Sequence, residues 1–297
     1  MSWQLSTLNL YLRTAEKALL ARMPNPVSAR ERLENQATLF PMPAGAKFGK
    51  FGAGGLRLEA DARGGLLLWI HGGAYIMGSP RTHSAMVAAL ARRAGLGAVL
   101  PAYRLAPEHP FPAALEDCRA AWDALIAEGV EPSRIVLGGD SAGGGLIFAL
   151  LHQLLAEGRP LPACVVSFSP WADLTLSGDT LFSLSSRDVL LPIERLPEIR
   201  TMYLQGAEPR DPRASPLFGD FDGAPPVFIQ ASRTEILLDD ARRLARRMTD
   251  QDVDATLDLA DGLPHVWQIY QGWLPEADEA LDHAATWIRS RLAAGKA

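Results

Sequence analysis

Residues 134–144 read RIVLGGDSAGG, a short apolar run followed by a glycine-rich turn with a serine inside it. The run has the length and composition of a strand buried on both faces, and an apolar helical stretch follows Ser141 at once. G-x-S-x-G between a strand and a helix is typical of a sharp turn that strains its serine and exposes the hydroxyl. We therefore predict that Ser141 is a nucleophile; the alternative is a glycine-rich turn whose serine only caps the helix.

Short apolar runs recur on both sides of this turn and alternate with helical stretches. This alternation is typical of an α/β protein with a mostly parallel, doubly wound sheet. The predicted strands are Leu66–Ile70, Ala98–Leu100, Arg134–Leu137, Cys164–Phe168, Val227–Gln230 and Ala255–Leu259. The predicted helices between them are 82–94, 113–128, 141–157 and 239–249.

Two segments depart from the alternation. Residues 2–22 place apolar side chains at helical spacing with Arg13, Glu16 and Lys17 between them, which predicts an amphipathic helix packed against the body. Residues 171–221 are rich in proline, show no clear strand and are too long for a plain connection. We therefore predict N-terminal cap helices in residues 1–43, a cap insertion in 171–221, and a core formed by 44–170 and 222–297.

Composition excludes several classes of function. The 297 residues include 29 basic and 34 acidic side chains, a net charge of −5 with no block of like charge, so we expect no binding to nucleic acid. No apolar run reaches the roughly 18 residues of a membrane span, and the N-terminus lacks signal-peptide features. Cys118 and Cys164 each lie in an apolar stretch, which favours unpaired thiols in a reducing compartment. These observations predict a cytoplasmic protein without a membrane span.

A second glycine-containing turn, HGGAY at residues 71–75, follows the predicted strand Leu66–Ile70. Small residues let main-chain N–H groups approach a reacting oxygen closely enough to donate to it. An acyl-transfer site would take its oxyanion donors from Gly73, Ala74 and Ala142, with Gly72 as a further candidate. The alternative is a plain turn after a buried strand. We expect His71 to fix this loop by hydrogen bonding and not to act as a base.

These two motifs, together with YRLAPEHPFPAA at residues 103–114, resemble the hormone-sensitive-lipase family of α/β-hydrolases. The resemblance covers nearly the whole chain. It implies an α/β-hydrolase fold, with a mostly parallel eight-stranded sheet, flanking helices and a helical cap, and the carboxylesterase activity of the bacterial members (family IV). Two positions depart from the family pattern: the third glycine of the oxyanion loop is Ala74, and the acid position, usually aspartate in D-x-L-x-D, reads EILLD at residues 235–239.

The triad of such a hydrolase runs serine, acid, histidine along the chain. Of six histidines only His265 and His283 lie late enough, and His265 follows the predicted strand 255–259 in a loop whereas His283 lies in the C-terminal helical stretch. We assign His265 as the base and expect His283 at the solvated surface. Glu235 matches the family's acid position; Asp239 and Asp240 are the alternatives, as helix caps or as the acid.

The stretch 103–114 is interpreted as support for the site. Four nearby prolines stiffen it, and we expect a pair between Arg104 and Glu108 to fix the loop beneath the site. Metal binding through His71, His83 and His109 is an alternative, but these histidines have no ligand spacing on a common element. We expect neither a metal nor a cofactor.

The sequence therefore predicts a serine carboxylesterase that hydrolyses small-molecule esters with short to medium acyl chains. The candidate pocket residues are Tyr75, Trp171, Leu190 and Met202. Two alternatives remain open. One is a non-catalytic small-molecule-binding homologue such as the plant gibberellin receptors, which lack the catalytic histidine; the other is a hydrolase of an amide, lactone or carbonate. The resemblance also makes a homodimer an expectation, with helix 276–292 or strand 255–259 as its interface.

Overall fold

The computed structural model describes residues 2–23, 25–59 and 64–294. Met1, Pro24 and residues 295–297, which belong to the predicted terminal segments, lie outside the described residues. The described chain forms an eight-stranded sheet with helices on both faces. The strands are Phe48–Phe51 (β1), Gly55–Leu58 (β2), Leu66–Ile70 (β3), Gly97–Leu100 (β4), Ile135–Asp140 (β5), Cys164–Phe168 (β6), Val227–Ser232 (β7) and Ala255–Ala260 (β8).

Five of the helices cover the two faces of the sheet. Helices α4 and α10 pack on one face, and α5, α6 and α9 pack on the other. The α-helices are Trp3–Tyr11 (α1), Lys17–Ala21 (α2), Pro26–Ala37 (α3), Pro80–Ala94 (α4), Ala113–Ala127 (α5), Ala142–Ala156 (α6), Thr180–Ser183 (α7), Leu196–Leu204 (α8), Leu238–Thr249 (α9) and Pro275–Ala294 (α10).

The strand order is β1-β2-β4-β3-β5-β6-β7-β8. The β1–β2 and β2–β4 pairings are antiparallel, and every pairing from β4 to β8 is parallel. The predicted α/β-hydrolase fold with a mostly parallel eight-stranded sheet is confirmed. Because parallel strands end at the same edge of a sheet, the loops after β3, β5, β7 and β8 meet there, which is where ligands bind in folds of this kind.

The central strands are apolar along their whole length because both faces of the sheet are covered. In β3, Leu68 and Ile70 point into the core beneath α5, α6 and α9, whereas Leu67 and Trp69 point into the core beneath α4 and α10. All four side chains are fully buried. The sheet is therefore a rigid platform for the loops at its edge.

The N-terminal helix departs from the predicted pattern at its centre. Residues Leu12–Glu16 form a π-helical turn in which the Lys17 N–H bonds the Leu12 carbonyl, five residues back. A π-turn holds one more residue than an α-turn and rotates the side chains that follow it. Glu16 is buried beside Leu12, whereas Arg13 is exposed. The expectation that Glu16 lies with Arg13 on the polar face is therefore wrong.

Residues 171–221 contain the short helices α7 and α8, separated by turns, and no strand, as the proline-rich sequence predicts.

The stretch 103–112, before α5, differs from expectation in one contact. Arg104 bonds Glu116 and Asp117 in the first turns of α5, at 3.0 and 2.9 Å, and Glu108 pairs with Arg30 of α3 at 2.6 Å. The predicted Arg104–Glu108 pair is wrong because each side chain finds a partner on the helix nearest to it.

Candidate active site

Ser141 occupies a strained turn between β5 and α6. Its φ of +53° and ψ of −121° lie outside the regions that residues with a side chain normally adopt. The turn is also crowded, since a Cβ atom on Gly143 would lie 2.1 Å from the carbonyl oxygen of Ile70. Because α6 begins at Ala142, the positive end of its dipole adjoins the serine and favours negative charge there.

A continuous line of hydrogen bonds joins Ser141, His265 and Glu235. Ser141 Oγ lies 2.9 Å from His265 Nε2, and His265 Nδ1 lies 2.6 Å from Glu235 Oε2. Glu235 follows β7 and is 1% exposed, and its second oxygen accepts the Ser232 N–H at 2.9 Å. The structure thus brings together the three residues that the sequence assigns to a triad, in an order that can pass a proton from the serine to the histidine.

The surroundings of His265 favour its protonated form. Burial alone would lower the pKa of His265, but the hydrogen bond and negative charge of Glu235 outweigh burial, and the charges of Asp188 and Asp140 act in the same direction as Glu235. The pKa of His265 is therefore raised above its usual 6.5. Such an imidazole is a stronger base toward a hydroxyl proton than an ordinary histidine.

The loop after β3 has an unusual main chain, with positive φ at Gly73 (+117°), Ala74 (+56°) and Tyr75 (+63°) in succession. A left-handed alanine costs about 1 kcal/mol, and the loop is held by the Gly73 carbonyl, which accepts the N–H of Met77 at 2.9 Å. A Cβ atom on Gly73 would lie 2.2 Å from the Met77 oxygen, so this position requires glycine. The loop is thereby fixed close to the serine.

The predicted oxyanion donors lie around Ser141. Gly73 and Ala74 border the same cavity as Ser141. Ala142 is the first residue of α6, so its N–H has no partner within its own helix. Gly72 lies closer to the interior, because a Cβ atom there would be 2.2 Å from the Asp140 carboxylate. The candidate donors thus lie on two loops that meet at Ser141.

A second histidine–carboxylate pair lies beside the nucleophile. Asp140 is 2% exposed and accepts the Trp69 indole N–H at 2.9 Å, and its other oxygen lies 3.1 Å from His83 Nε2. Burial alone would raise the pKa of Asp140, but the charge and hydrogen bond of His83 lower it. Sequence analysis missed this pair, although Asp140 stands within the serine motif. The bonds from Trp69 and His83 hold Asp140, the residue before Ser141, in place.

His71 is part of the loop structure. Its Nδ1 lies 2.8 Å from the Gly72 carbonyl oxygen, and its ring stacks on Tyr103 with 4.1 Å between centroids. Burial, together with the neighbouring His83, lowers the pKa of His71 to about 3, so the ring is neutral. The Tyr103 hydroxyl donates to the His71 carbonyl at 2.8 Å. In this way, the first residue of YRLAPEHPFPAA anchors the loop after β3.

Asp188 is a residue of the site that no sequence motif indicates. It lies in the segment 171–221, is 2% exposed, and accepts the N–H groups of Leu190 and Leu191 with one oxygen. Its other oxygen accepts the N–H of Ile236, next to Glu235, at 2.8 Å. The three contacts are between main chain and side chain, so only the folded structure reveals them.

The alternative acid and base candidates lie elsewhere. Asp239 accepts the Thr180 N–H at 3.0 Å, and Asp240 accepts the N–H groups of Ala172 and Asp173, each at 2.8 Å. The His283 side chain is 71% exposed on α10. His265 is therefore hydrogen-bonded to Glu235 and to neither aspartate.

Two cavities meet at Ser141. The smaller is about 80 Å³ and is bordered mainly by apolar side chains, among them Trp171, Leu191 and Ile199. The larger is about 370 Å³ and is also bordered by His265. Of the predicted pocket residues, Trp171 borders the smaller cavity and Leu190 the larger, whereas Tyr75 is buried in a stack with Tyr203 and Met202 packs partly buried against the core.

Neither a candidate metal site nor a membrane-spanning helix occurs in the described part of the chain. Among residues 2–23, 25–59 and 64–294, no group of three or more His, Cys, Asp and Glu side chains could hold a metal ion. The same residues contain no helix that is long and apolar enough to cross a bilayer. Cys118 and Cys164 are buried and form no disulfide.

Comparisons with known proteins agree with this fold. The family model Abhydrolase_3, described as an alpha/beta hydrolase fold, matches residues 67–269. An acetyl-hydrolase of Streptomyces hygroscopicus is 41% identical over 78% of this chain and 78% of its own length, and an esterase of Acinetobacter venetianus is 35% identical over 96% and 94%. A crystal structure of an esterase from the bacterial hormone-sensitive lipase family superposes with a TM-score of 0.92 at 38% identity, covering 98% of this chain and 99% of that one.

Proposed function

Because the chain belongs to the Abhydrolase_3 family of α/β-hydrolases and is a carboxylic ester hydrolase, we propose that Ser141, His265 and Glu235 carry out its reaction through a covalent acyl-enzyme. The observation that carries the proposal is the line of hydrogen bonds from Ser141 Oγ through His265 to the buried Glu235 carboxylate. A nucleophile, a base and an orienting acid in this arrangement define the mechanism of serine hydrolases.

In the first half of the reaction, His265 Nε2 takes the hydroxyl proton as Ser141 Oγ attacks the ester carbonyl carbon. The carbonyl oxygen becomes an oxyanion, which the N–H groups of Gly73, Ala74 and Ala142 stabilise. The bond to the alcohol oxygen then breaks, and the protonated His265 gives its proton to the leaving alcohol. Glu235 stabilises the imidazolium during both steps.

In the second half, water attacks the acyl group on Ser141 while His265 takes a proton from the water. The second tetrahedral intermediate collapses, the proton returns to Ser141 Oγ, and the carboxylic acid is released. No redox partner or metal is required for any of these bonds to form or break.

The cavities suggest which part of the substrate lies where. The leaving alcohol takes its proton from His265, so it must lie next to this residue, and His265 borders the larger cavity. The acyl group then occupies the smaller, apolar cavity of about 80 Å³. A pocket of this size favours short to medium acyl chains, since longer chains would have to displace Leu191 or Ile199.

We propose that residues 2–43 and 171–221 form the cap. Side chains from both segments border the cavities at Ser141: Leu20 and Ala29 come from the first, and Leu191, Leu196 and Ile199 from the second. The cap would thus set the shape of the substrate pocket, while residues 44–170 and 222–294 supply the catalytic groups.

We also propose a homodimer and a cytoplasmic location. Strand β8 is the last strand of the sheet and pairs with β7 on one side. Its other edge could pair with a second copy. Sedimentation at micromolar concentration that finds only monomer would contradict the dimer.

The proposed function is tested by hydrolysis of p-nitrophenyl acetate, butyrate, octanoate and palmitate. We expect kcat/KM to be highest for the short acyl chains and to fall steeply for palmitate. Comparable hydrolysis of an emulsified long-chain triglyceride would contradict the assignment of the acyl group to the smaller cavity. A butyrate ester and its matched anilide, compared side by side, decide between ester and amide hydrolysis.

A further inference from the structure

The larger cavity combines an apolar wall with a polar cluster contributed by the N-terminal helices. Leucine and aromatic side chains, including Leu33, Ile269 and Trp273, border most of it. The cluster consists of Tyr11, Glu16, Arg32 and Gln36, and all four residues also border the cavity. The triad does not use these residues, and none of them lies in the three sequence motifs that contain Gly73, Tyr103 and Ser141.

Glu16 organises the cluster. Its carboxylate accepts four hydrogen bonds: from Arg32 Nε at 3.2 Å and Nη2 at 2.5 Å, from Gln36 Nε2 at 3.1 Å, and from the Tyr11 hydroxyl at 3.1 Å. Burial alone would raise the pKa of Glu16, but the bonds from Arg32 and Gln36 outweigh burial and lower it. Glu16 is thus a charged and fully bonded anchor for the other side chains. Glu16 is the last residue of the π-helical turn Leu12–Glu16, and π-turns are frequent at functional sites.

Arg32 has donors left over. A guanidinium carries five N–H groups, and Glu16 takes bonds from Nε and Nη2. The Tyr11 hydroxyl is a further hydrogen-bond partner of the Arg32 side chain, which is 33% exposed. Glu16 and Tyr11 thus account for three of the five N–H groups, and the others are available to a ligand in the cavity. A donor that borders a mostly apolar cavity gains free energy when a ligand oxygen accepts from it.

The charge of the cluster selects the kind of acceptor. The positive charge of Arg32 is already matched by the negative charge of Glu16 at 2.5 Å. A second carboxylate would add an unmatched charge to an apolar cavity, which is costly. An uncharged oxygen, such as a hydroxyl or carbonyl, can accept an N–H bond without this cost.

We propose that Arg32 recognises the alcohol part of the substrate, and that the preferred substrates are short-chain acyl esters of alcohols carrying an uncharged oxygen distant from the ester. Gln36 and Tyr11 hold Arg32 in position through Glu16. The proposal rests on the proposed function, since it places the leaving alcohol in the cavity that His265 borders.

The test compares two series of acetates. One series is the monoacetates of α,ω-diols with four to ten carbons, and the other consists of the alkyl acetates in which a methyl group replaces the terminal hydroxyl. A purely apolar cavity would favour the alkyl member of each pair because burying a hydroxyl without a partner is unfavourable. We expect the hydroxylated member to have the higher kcat/KM, by about tenfold at the chain length that spans the cavity, through a lower KM.

The matched variants are Glu16→Leu/Arg32→Met and Arg13→Met. The double variant removes both charges together, so no buried charge is left unpaired. Arg13 lies in the same π-helical turn but is exposed. We expect the preference for the hydroxylated acetates to disappear in the double variant and to persist in Arg13→Met.

Each outcome has a distinct meaning. Hydrolysis of the alkyl acetates with no preference at any chain length in the wild-type protein would overturn the role of Arg32 and leave the esterase function standing. Failure to hydrolyse either series would instead contradict the proposed function. The wild-type comparison decides the question even where the double variant does not fold, and a preference that survives in a folded double variant also overturns the proposal.

Discussion

The Asp188 carboxylate accepts the main-chain N–H of Ile236 at 2.8 Å and so joins the segment 171–221 to the loop that carries Glu235. Its other oxygen accepts the N–H groups of Leu190 and Leu191, which border the cavities at Ser141. One buried side chain therefore fixes both a wall of the substrate pocket and the residue after the proposed acid. Its negative charge also contributes to the raised pKa of His265.

We expect Asp188→Asn to lower kcat by about 10- to 100-fold, because an amide presents a donor to one of the three N–H groups that the carboxylate accepts. Loss of the negative charge should also lower the pKa of His265 and move the acidic limb of the kcat/KM profile to lower pH. Asp179→Asn, at an exposed position of the same segment, is the control. An unchanged pH profile in Asp188→Asn would show that Asp188 has no electrostatic role.

In the wild-type protein, we expect kcat/KM to fall as the pH decreases, with a midpoint above 6.5. The reason is that His265 must be neutral to take the serine proton, and Glu235 raises its pKa above the ordinary value despite burial. The profile is measured with p-nitrophenyl butyrate at constant ionic strength, and His283→Asn should leave it unaltered. A midpoint below 6.5 would contradict the electrostatic description of the site.

The acid is tested by a pair of isosteric variants. We expect Glu235→Gln to lose about 10³- to 10⁴-fold in kcat, since the amide no longer holds the imidazole in the required tautomer or stabilises its charge. Asp239→Asn should retain nearly full activity, because Asp239 bonds the Thr180 N–H and not His265. The reverse pattern would assign the acid to Asp239. Melting temperatures of both variants show whether any loss is one of folding.

The sequence predicts best those elements whose signal is local. The bounds of Leu66–Ile70 and Cys164–Phe168 agree with the structure because each is a mainly apolar run between polar or small residues, interrupted only by Ser167 in the second. Strands Phe48–Phe51 and Gly55–Leu58 were missed. They are four residues long, each contains a glycine, and they depend on pairing with one another and with β4.

The residues of the candidate site likewise differ in whether the local sequence indicates them. The positions of Ser141 and His265 follow from motifs and chain order, whereas Asp188 acts on an N–H group 48 residues away along the chain. Glu16 lies four residues after Leu12 and so shares the buried face of the helix, but its charge alone indicates an exposed position. The contacts that bury it come from Arg32 and Gln36 on another helix, and contacts between distant segments are what a single sequence conceals.

Asp240 makes the stability of the protein sensitive to pH. Burial, together with the charge of Asp173, raises the pKa of Asp240 to about 8, against 3.8 for an ordinary aspartate. The folded state therefore binds the Asp240 proton more tightly than the unfolded state does. Protonated Asp240 contributes its full stabilisation of the folded state below about pH 4, and this contribution is lost as the pH rises toward 8.

We accordingly expect Asp240→Asn to raise the melting temperature at pH 9 by about 2 °C or more. The neutral amide oxygen can still accept the Ala172 and Asp173 N–H groups, and no charge remains to be buried. The difference should shrink as the pH is lowered to 5, where Asp240 is itself neutral. Calorimetry across this range measures the difference in melting temperature between the variant and the wild-type protein. A variant that melts below the wild-type protein at pH 9 would contradict this expectation.

The most direct test of the mechanism is the hydrolysis of p-nitrophenyl butyrate by Ser141→Ala, with Ser183→Ala, an exposed serine, as the control. We predict that Ser141→Ala loses at least about 10⁴-fold in kcat while remaining folded, and that the wild-type protein, but not this variant, gains the mass of one phenylmethylsulfonyl group when treated with phenylmethylsulfonyl fluoride. A folded Ser141→Ala protein that still hydrolyses the ester at the wild-type rate would contradict the assignment of Ser141 as the nucleophile.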